Sequence, residues 1–343
     1  MAGLETGVCK DRDVWNRYVS SHPTATQYHR YEWLAIVEQS FEHRVYPLVA
    51  REDDRIRGIF PLIHVESVLF GNCVVSLPFL TSGGILADDE TVRECLWRAA
   101  IALARNWGAT SLESREFSAY RQADHTKIHK ATMVLKLAPS IEAQWTGFDA
   151  KLRNQIRKAE RSGLIVRVGR VQDLSGFYEV FARNMRDLGT PVYGRRFFEK
   201  MFEYFPETSY VFSVCLGNTV IAACIALESE TSVEVPSASS LRDYRSLCPN
   251  TLMYWAVIQT AIKAGRAQFD FGRSTVGDGT YRFKEQWGAK AVPMYFNYWL
   301  KDPKNVPDVT TTNPAYKFAI AAWKRLPVWL SKVLGPSIIR NIP

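Results

Sequence analysis

Histidine runs out early in this chain: His22, His29, His43, His64, His125 and His129 are the full complement. A catalytic centre built wholly in the second half therefore has no imidazole to use as base or metal ligand. That argues there against Ser-His-Asp hydrolysis and most zinc schemes. The six cysteines, at 9, 73, 95, 215, 224 and 248, form no Cys-x-x-Cys pair, so zinc-ribbon and thioredoxin chemistry lack their ligands. Cys215 and Cys224 fall in apolar runs and read as small core residues. Neither GxGxxG nor GxxxxGK[ST] occurs, which removes the nucleotide loops. No apolar run approaches the ~18 residues needed to cross a bilayer. The opening "MAGLETGVCKDRDVW" has no apolar leader core, so a cytosolic, reducing setting is expected.

What is present is globular. The chain has 343 residues, 47% hydrophobic and 23% charged, and its length suggests two domains. The net charge of +8 suits an anionic partner without proving one. A helical opening, "YHRYEWLAIVEQSF", leads to strand-like runs at 44–52, 55–65 and 72–80, a helix at 89–108 capped by Asp88 or Asp89, and strands near 110–114 and 128–138. The second half gives a basic helix (150–162), a strand (164–168), helices near 173–188 and 195–204, strands at 210–217, 219–229 and 232–240, a helix (250–265) and a strand (267–273). The order hairpin, strand, helix, strand thus occurs twice. Pro78, Trp97 and Arg115 precede Pro236, Trp255 and Arg273 by the same interval, each proline expected to end a strand. A duplicated α+β fold with mixed sheets follows.

Two segments could carry chemistry. In "KLRNQIRKAERSGL" (151–164), Leu152, Ile156 and Ala159 form an apolar stripe and Arg153, Arg157 and Arg161 a basic row, with Gly163 as the stop. Guanidiniums so spaced suit an anion or substrate; the alternative is a solvated face. "DFGRSTVGDGTYRFKEQWGAK" (270–290) contains "DFG", but the histidine of a kinase HRD loop is missing from this half. What remains is a strand carrying Asp270, a turn-rich loop, and a short helix with Tyr281 and Lys284 on one face. A cation and a phenol near a strand end can steady negative charge on an oxygen. The alternative is a surface turn anchored by Phe283 and Trp287.

Together, "LRNQIRKAERSGL" and "PNTLMYWAVIQTAIKAG…FDFGRS…GTYRFKEQWGA" resemble the FemAB-like branch of the GNAT acyltransferase superfamily. "YHRYEWLAIVEQSF", "LPFLTSGGI" and "DLGTPVYGRRFFEKM" fit the same family, so the resemblance covers about residues 25–300. The "GTYRFKEQWGA" variant looks most like FemAB-related proteins associated with exosortase and exopolysaccharide systems. The resemblance implies tandem GNAT-like domains, expected at 1–145 and 146–302, with a basic amphipathic tail at 303–343. It implies metal-independent transfer of an acyl or aminoacyl group to an amine of a cell-envelope or exopolysaccharide precursor. Acyl-CoA or aminoacyl-tRNA would be the donor, and no cofactor would be permanently bound. Lys284 matches the family lysine and Asp270 the acidic residue of the preceding strand, with Tyr281 beside them. Arg153 and Arg157 match the basic helix, and Arg273 and Tyr193 join them as substrate-binding candidates.

One departure matters. Where GNAT proteins that bind CoA place (Q/R)xxGx(G/A), this chain reads "LRDYRSLCPNTLMYW". Arg242, Arg245 and Asn250 remain as candidate donor-binding residues at a helix N-terminus, but the glycines are absent. Nor is there a long charged heptad arm of the kind that grips tRNA in Fem enzymes. A non-catalytic scaffold of a polysaccharide assembly system is the competing reading. After Asp308 the chain has no acidic residue. "NPAYKFAIAAWKRL" places Tyr316, Ile320 and Trp323 on one face beside Lys317 and Lys324, and "VWLSKVLG" follows Pro327. Residues 313–340 are expected to contact a membrane peripherally from the cytoplasmic side or to pack on the second domain.

Overall fold

The computed structural model describes residues 3–67, 71–307 and 317–342. The first elements are β1 (Glu5–Val8), α1 (Arg12–Ser21), α2 (Glu32–Phe41), β2 (Arg44–Glu52), β3 (Arg55–Ser67), β4 (Gly71–Ser76), β5 (Leu86–Ala87), α3 (Glu90–Asn106), β6 (Ser111–Glu116) and β7 (His125–Lys136). Then come α4 (Ile141–Gly147), α5 (Ala150–Arg161), β8 (Leu164–Gly169), α6 (Leu174–Leu188), α7 (Arg195–Tyr204), β9 (Ser209–Leu216) and β10 (Thr219–Glu228). The chain continues through β11 (Ser232–Ser240), α8 (Pro249–Lys263), β12 (Gln268–Thr275), α9 (Gly279–Glu285), β13 (Lys290–Leu300), α10 (Lys317–Trp323) and α11 (Val328–Ile339).

Two compact units emerge. One comprises Met1–His129, Pro293–Thr310 and Arg340–Pro343, the other Lys130–Val292 and Thr311–Ile339. The expected divisions at 145/146 and 302/303 differ from these, because strand pairing does not follow sequence halves. In the first unit the sheet order is β1-β2-β3-β4-β6-β13. Its outermost strand arrives late, with Tyr295 opposite Glu116 and Leu300 opposite Ser111. In the second unit the order is β7-β12-β11-β10-β9-β8. Here the outermost strand comes from upstream, with Lys130 opposite Thr275 and Lys136 opposite Gln268. Each unit thus takes its last strand from the other end of the sequence.

Each unit contains a parallel strand pair joined by a crossover helix. In the first unit β4 and β6 run parallel from Cys73↔Ser111 to Val75↔Glu113. The helix between them, α3, buries Leu96, Trp97 and Ala100 against Phe60, Leu62 and Leu112. Asp89 caps it, accepting from the Val92 amide at 2.9 Å. Asp88 instead holds Arg57 at 2.7 Å. In the second unit β11 and β12 run parallel and α8 crosses between them. The stripe Leu152, Ile156 and Ala159 of α5 is buried in that core, as the 3.6-residue period requires.

Two local expectations change. The strand expected to reach residue 80 stops at Ser76, because Leu77 (φ 44°) and Phe79 (φ 75°) adopt left-handed backbone that no strand accommodates. Pro236 lies inside β11, not at its end, since β11 continues antiparallel to β10 through Ser240.

Of the tail, residues 317–339 belong to the second unit and Arg340 to the first. Trp323, Ser331, Gly335 and Ile339 are buried, and Arg186 donates to the Leu326 carbonyl at 2.7 Å. Phe318 and Trp329, 91% and 65% exposed, stay outside. Of the residues expected to form the tail's apolar face, Tyr316 lies outside the described residues, as does Asp308. Gly335 packs so closely on the loop before α7 that a Cβ there would sit 2.8 Å from the Val192 backbone nitrogen. Gly335→Ala should therefore destabilise the protein by about 1–3 kcal/mol. Urea unfolding measures this, and an unchanged midpoint would mean α11 is not docked as described.

Candidate active site

The second unit's parallel pair is brief. β11 and β12 stay in register from Ser232↔Gln268 to Glu234↔Asp270 and then part. On its other edge β12 pairs with β7 throughout, with a register shift between Asp270 and Arg273. Gly272 sits in this bulge at φ +73°, and a Cβ there would lie 2.7 Å from the Val235 carbonyl oxygen. Glycine is the residue that satisfies both conditions.

The bulge turns two carbonyls toward Lys284. Its Nζ donates to the Gly272 oxygen at 2.8 Å and to the Arg273 oxygen at 3.1 Å. α9 delivers the lysine: Asp278 caps this helix by accepting from the Tyr281 amide at 2.8 Å. Phe283 and Trp287 anchor it against Tyr254. The surface-turn alternative thus describes the anchor but not the lysine, which is only 7% exposed.

Asp270 accepts from the Thr132 hydroxyl and from the Gly272 amide, the latter at 2.8 Å. Burial pushes its carboxyl up from the ordinary aspartate range, opposed by the Thr132 hydroxyl, the Gly272 amide and the charge of Lys284. Burial likewise pulls Lys284 down to about 8, while Asp270 and Glu234 draw it back and the Arg273 charge pushes it lower. Glu234, 6% exposed and facing Asp270 across the parallel pair, is a member of the group that the sequence reading missed. Its signal is an acid between two buried valines in "SVEVP". Alternation there reads more simply as one wet face and one dry face.

The predicted residues fall into three places. Asp270, Arg273 and Lys284 come together, with the half-buried Tyr281 one turn earlier on α9. The donor-side candidates lie around the start of α8. Gln155 of the basic helix α5 accepts from Thr251 at 3.4 Å, which sets α5 beside that first turn. Arg153 is half-buried there, and Arg157 lies over the Trp145 ring at 5.4 Å. Asn250 keeps a buried Oδ1 with no partner among the described residues. Arg245 is exposed, whereas Arg242 is tied to the Asp187 carbonyl at 2.9 Å. Cys248, at φ 58°, takes the left-handed turn into α8, the kind of position a glycine usually fills. Tyr193 is elsewhere, stacked on Phe181 and edge-on to Phe198 in the aromatic packing of α6 and α7. Among the described residues no cluster of His, Cys, Asp or Glu is arranged to hold a metal ion.

Residues 147–285 match the family model described as an acetyltransferase (GNAT) domain. No curated protein matches the chain. Among solved structures, FemX is similar at a TM-score of 0.66 and 12% identity, covering 85% of this chain and 96% of that one. A tandem GNAT protein from the clavulanic acid biosynthesis pathway matches at 0.56 and 10%, covering 89% and 100%. L-PGS from Bacillus licheniformis matches at 0.54 and 12%, covering 98% of each chain. Residues 147–285 thus carry a GNAT-type acetyltransferase domain, and the chain has the tandem Fem-type fold its sequence suggested.

The lysine's environment can be tested without a substrate. Its folded pKa, about 8, lies below the unfolded 10.5. Between those values the unfolded chain binds more protons, so this group adds stability as pH rises and adds no pH dependence below about 8. Wild type should therefore gain stability on Lys284→Met across that window, read as the difference in urea midpoints. Parallel pH profiles for the two proteins would show an ordinary amine.

Proposed function

We propose that the second unit transfers an acyl or aminoacyl group from an anionic donor to an amine of a cell-envelope or exopolysaccharide precursor. The observation that carries this is the buried lysine held at the point where two parallel strands part. A protonated lysine has three donor hydrogens. Two are committed to the Gly272 and Arg273 carbonyls, and the third remains for an oxygen gaining charge.

In the proposed step the acceptor nitrogen attacks the acyl carbonyl carbon. A C–N bond forms, and the bond from that carbon to the donor's sulfur or oxygen breaks. Asp270 or a water takes the proton lost by the amine, and the leaving group is reprotonated. Lys284, with Tyr281 nearby and backbone N–H groups, steadies the oxyanion. Acyl-CoA and aminoacyl-tRNA are the donors considered. The N-terminus of α8 with Asn250, Arg245 and Arg242, flanked by Arg153 and Arg157, supports an anion there. Arg273 would hold the donor or acceptor near the reacting carbon. A cytoplasmic protein meeting the membrane peripherally through its tail fits an acceptor anchored in lipid.

Lys284→Ala should lower kcat by ~10²-fold while the fold survives. In wild type, kcat/KM should fall above pH about 8 as the lysine loses its proton. Lys284→Arg, whose charge persists at high pH, should lack that falling limb. A folded Lys284→Ala protein with unchanged turnover, measured with acyl-CoA and aminoacyl-tRNA donors, would remove this role.

The tail's proposal has its own measurement. Since α11 packs on the second unit, deletion would damage the fold, so surface substitutions are the proper probe. Phe318→Glu with Trp329→Glu should reduce co-sedimentation with vesicles rich in anionic lipid while leaving the thermal midpoint near wild type. Equal partitioning of the two proteins means the tail does not meet the membrane.

A further inference from the structure

The first unit contains a cavity of about 500 Å³, within the ~300–1,000 Å³ common for small-ligand sites. It lies between the loop after β4, the first turn of α3 and the end of β6. The loop, "LPFLTSGG", carries unusual backbone: Leu77, Phe79 and Gly83 all have positive φ. Such conformations persist where surrounding structure enforces them, and they concentrate at ligand-holding loops. Its second glycine is required by contact, because a Cβ on Gly84 would lie 2.2 Å from Cγ of Glu116.

Glu116 is the buried centre of this cavity. Its carboxylate accepts from the Ser114 hydroxyl at 2.5 Å and from the Ile85 amide at 3.3 Å, and it pairs with Arg93. Two donors on residues lining the cavity have no partner among the described residues. Ser82 is 2% exposed and its hydroxyl has no partner among the described residues. The Arg93 Nε is likewise buried and unpartnered. Leaving such groups dry and unmatched is costly, so each calls for a partner. At the rim Phe117 presents an exposed ring.

The charges decide the ligand class. Arg93 is neutralised by Glu116, and Arg115 by Glu113 at 2.5 Å. Asp89 pairs with Arg57. Little positive charge is left over for a phosphate. What lines the cavity is a carboxylate that accepts, a guanidinium that donates, a buried hydroxyl without a partner among the described residues, and an apolar face. Two adjacent hydroxyls on a sugar ring satisfy that set: one donates to Glu116, its neighbour accepts from Arg93, and the C–H face of the ring rests on Phe117.

We propose that this cavity in the first unit is a binding site for a neutral carbohydrate, recognised through a vicinal diol by Glu116, Arg93 and Ser82. None of the residues lining the cavity belongs to the Lys284 group, and the proposal does not depend on acyl transfer. It is tested by titrating the full-length protein calorimetrically with D-glucose, D-galactose, D-mannose, N-acetyl-D-glucosamine and inorganic phosphate. At least one sugar should bind with Kd of about 1 mM or tighter. Ser82→Ala, which breaks no existing bond, and Phe117→Ala should each weaken it several-fold, and Glu116→Gln by about tenfold or more. Lys284→Ala should bind the sugar as wild type does, which separates this result from the acyl-transfer test. Absence of binding by all four sugars, binding of phosphate alone, or sugar binding indifferent to Ser82→Ala and Phe117→Ala would each overturn the proposal.

Discussion

Two strands that hydrogen-bond in parallel for three residue pairs and then separate leave backbone groups needing new partners. In the second unit the carbonyls of Gly272 and Arg273 are taken up by Lys284, while β7 on the other edge of β12 and β10 on the other edge of β11 stay paired beyond the separation. The glycine permits the bulge, the bulge presents the carbonyls, and the lysine ties α9 to the strand that produced it. Without the separation the amine would have no reason to be buried, and without burial its proton affinity would be ordinary.

The two acids beside it set the balance. Glu234 and Asp270 face one another across the last parallel pair. Two buried carboxylates at such a position repel unless a cation or a proton intervenes. Lys284 supplies the cation, and the Thr132 hydroxyl and Gly272 amide supply hydrogen bonds to Asp270. The group is therefore coupled: removing one member changes the proton affinity of the others, and single substitutions within it should not add.

Much of this was legible in the sequence where local pattern decides structure. The stripe of α5, the adjacent strands at 210–217 and 219–229, and the helix carrying Tyr281 and Lys284 follow from periodicity and turn residues. Glu234 was hidden because a Val-Glu-Val run reads equally well as an exposed strand edge. Ser111–Glu116 shows the same difficulty more strongly: two serines, two glutamates and an arginine accompany a single leucine, yet every residue of β6 is buried. The unit boundaries were illegible because β7 and β13 owe their place to partners far away in sequence. The left-handed residues Leu77 and Phe79 gave no warning, since neither is a type that favours that conformation.

The late arrival of β13 bears on how the chain is made. The Tyr120 amide bonds to Asn297 across 177 positions, a stretch a ribosome needs on the order of 10–35 s to synthesise. During that interval β6 has a bare hydrogen-bonding edge while most of the protein is still emerging. An apolar strand left so would invite pairing with other nascent chains. Glu113, Arg115 and Glu116 stand on that strand, and charges of this kind make a waiting edge a poor template until its own partner is translated.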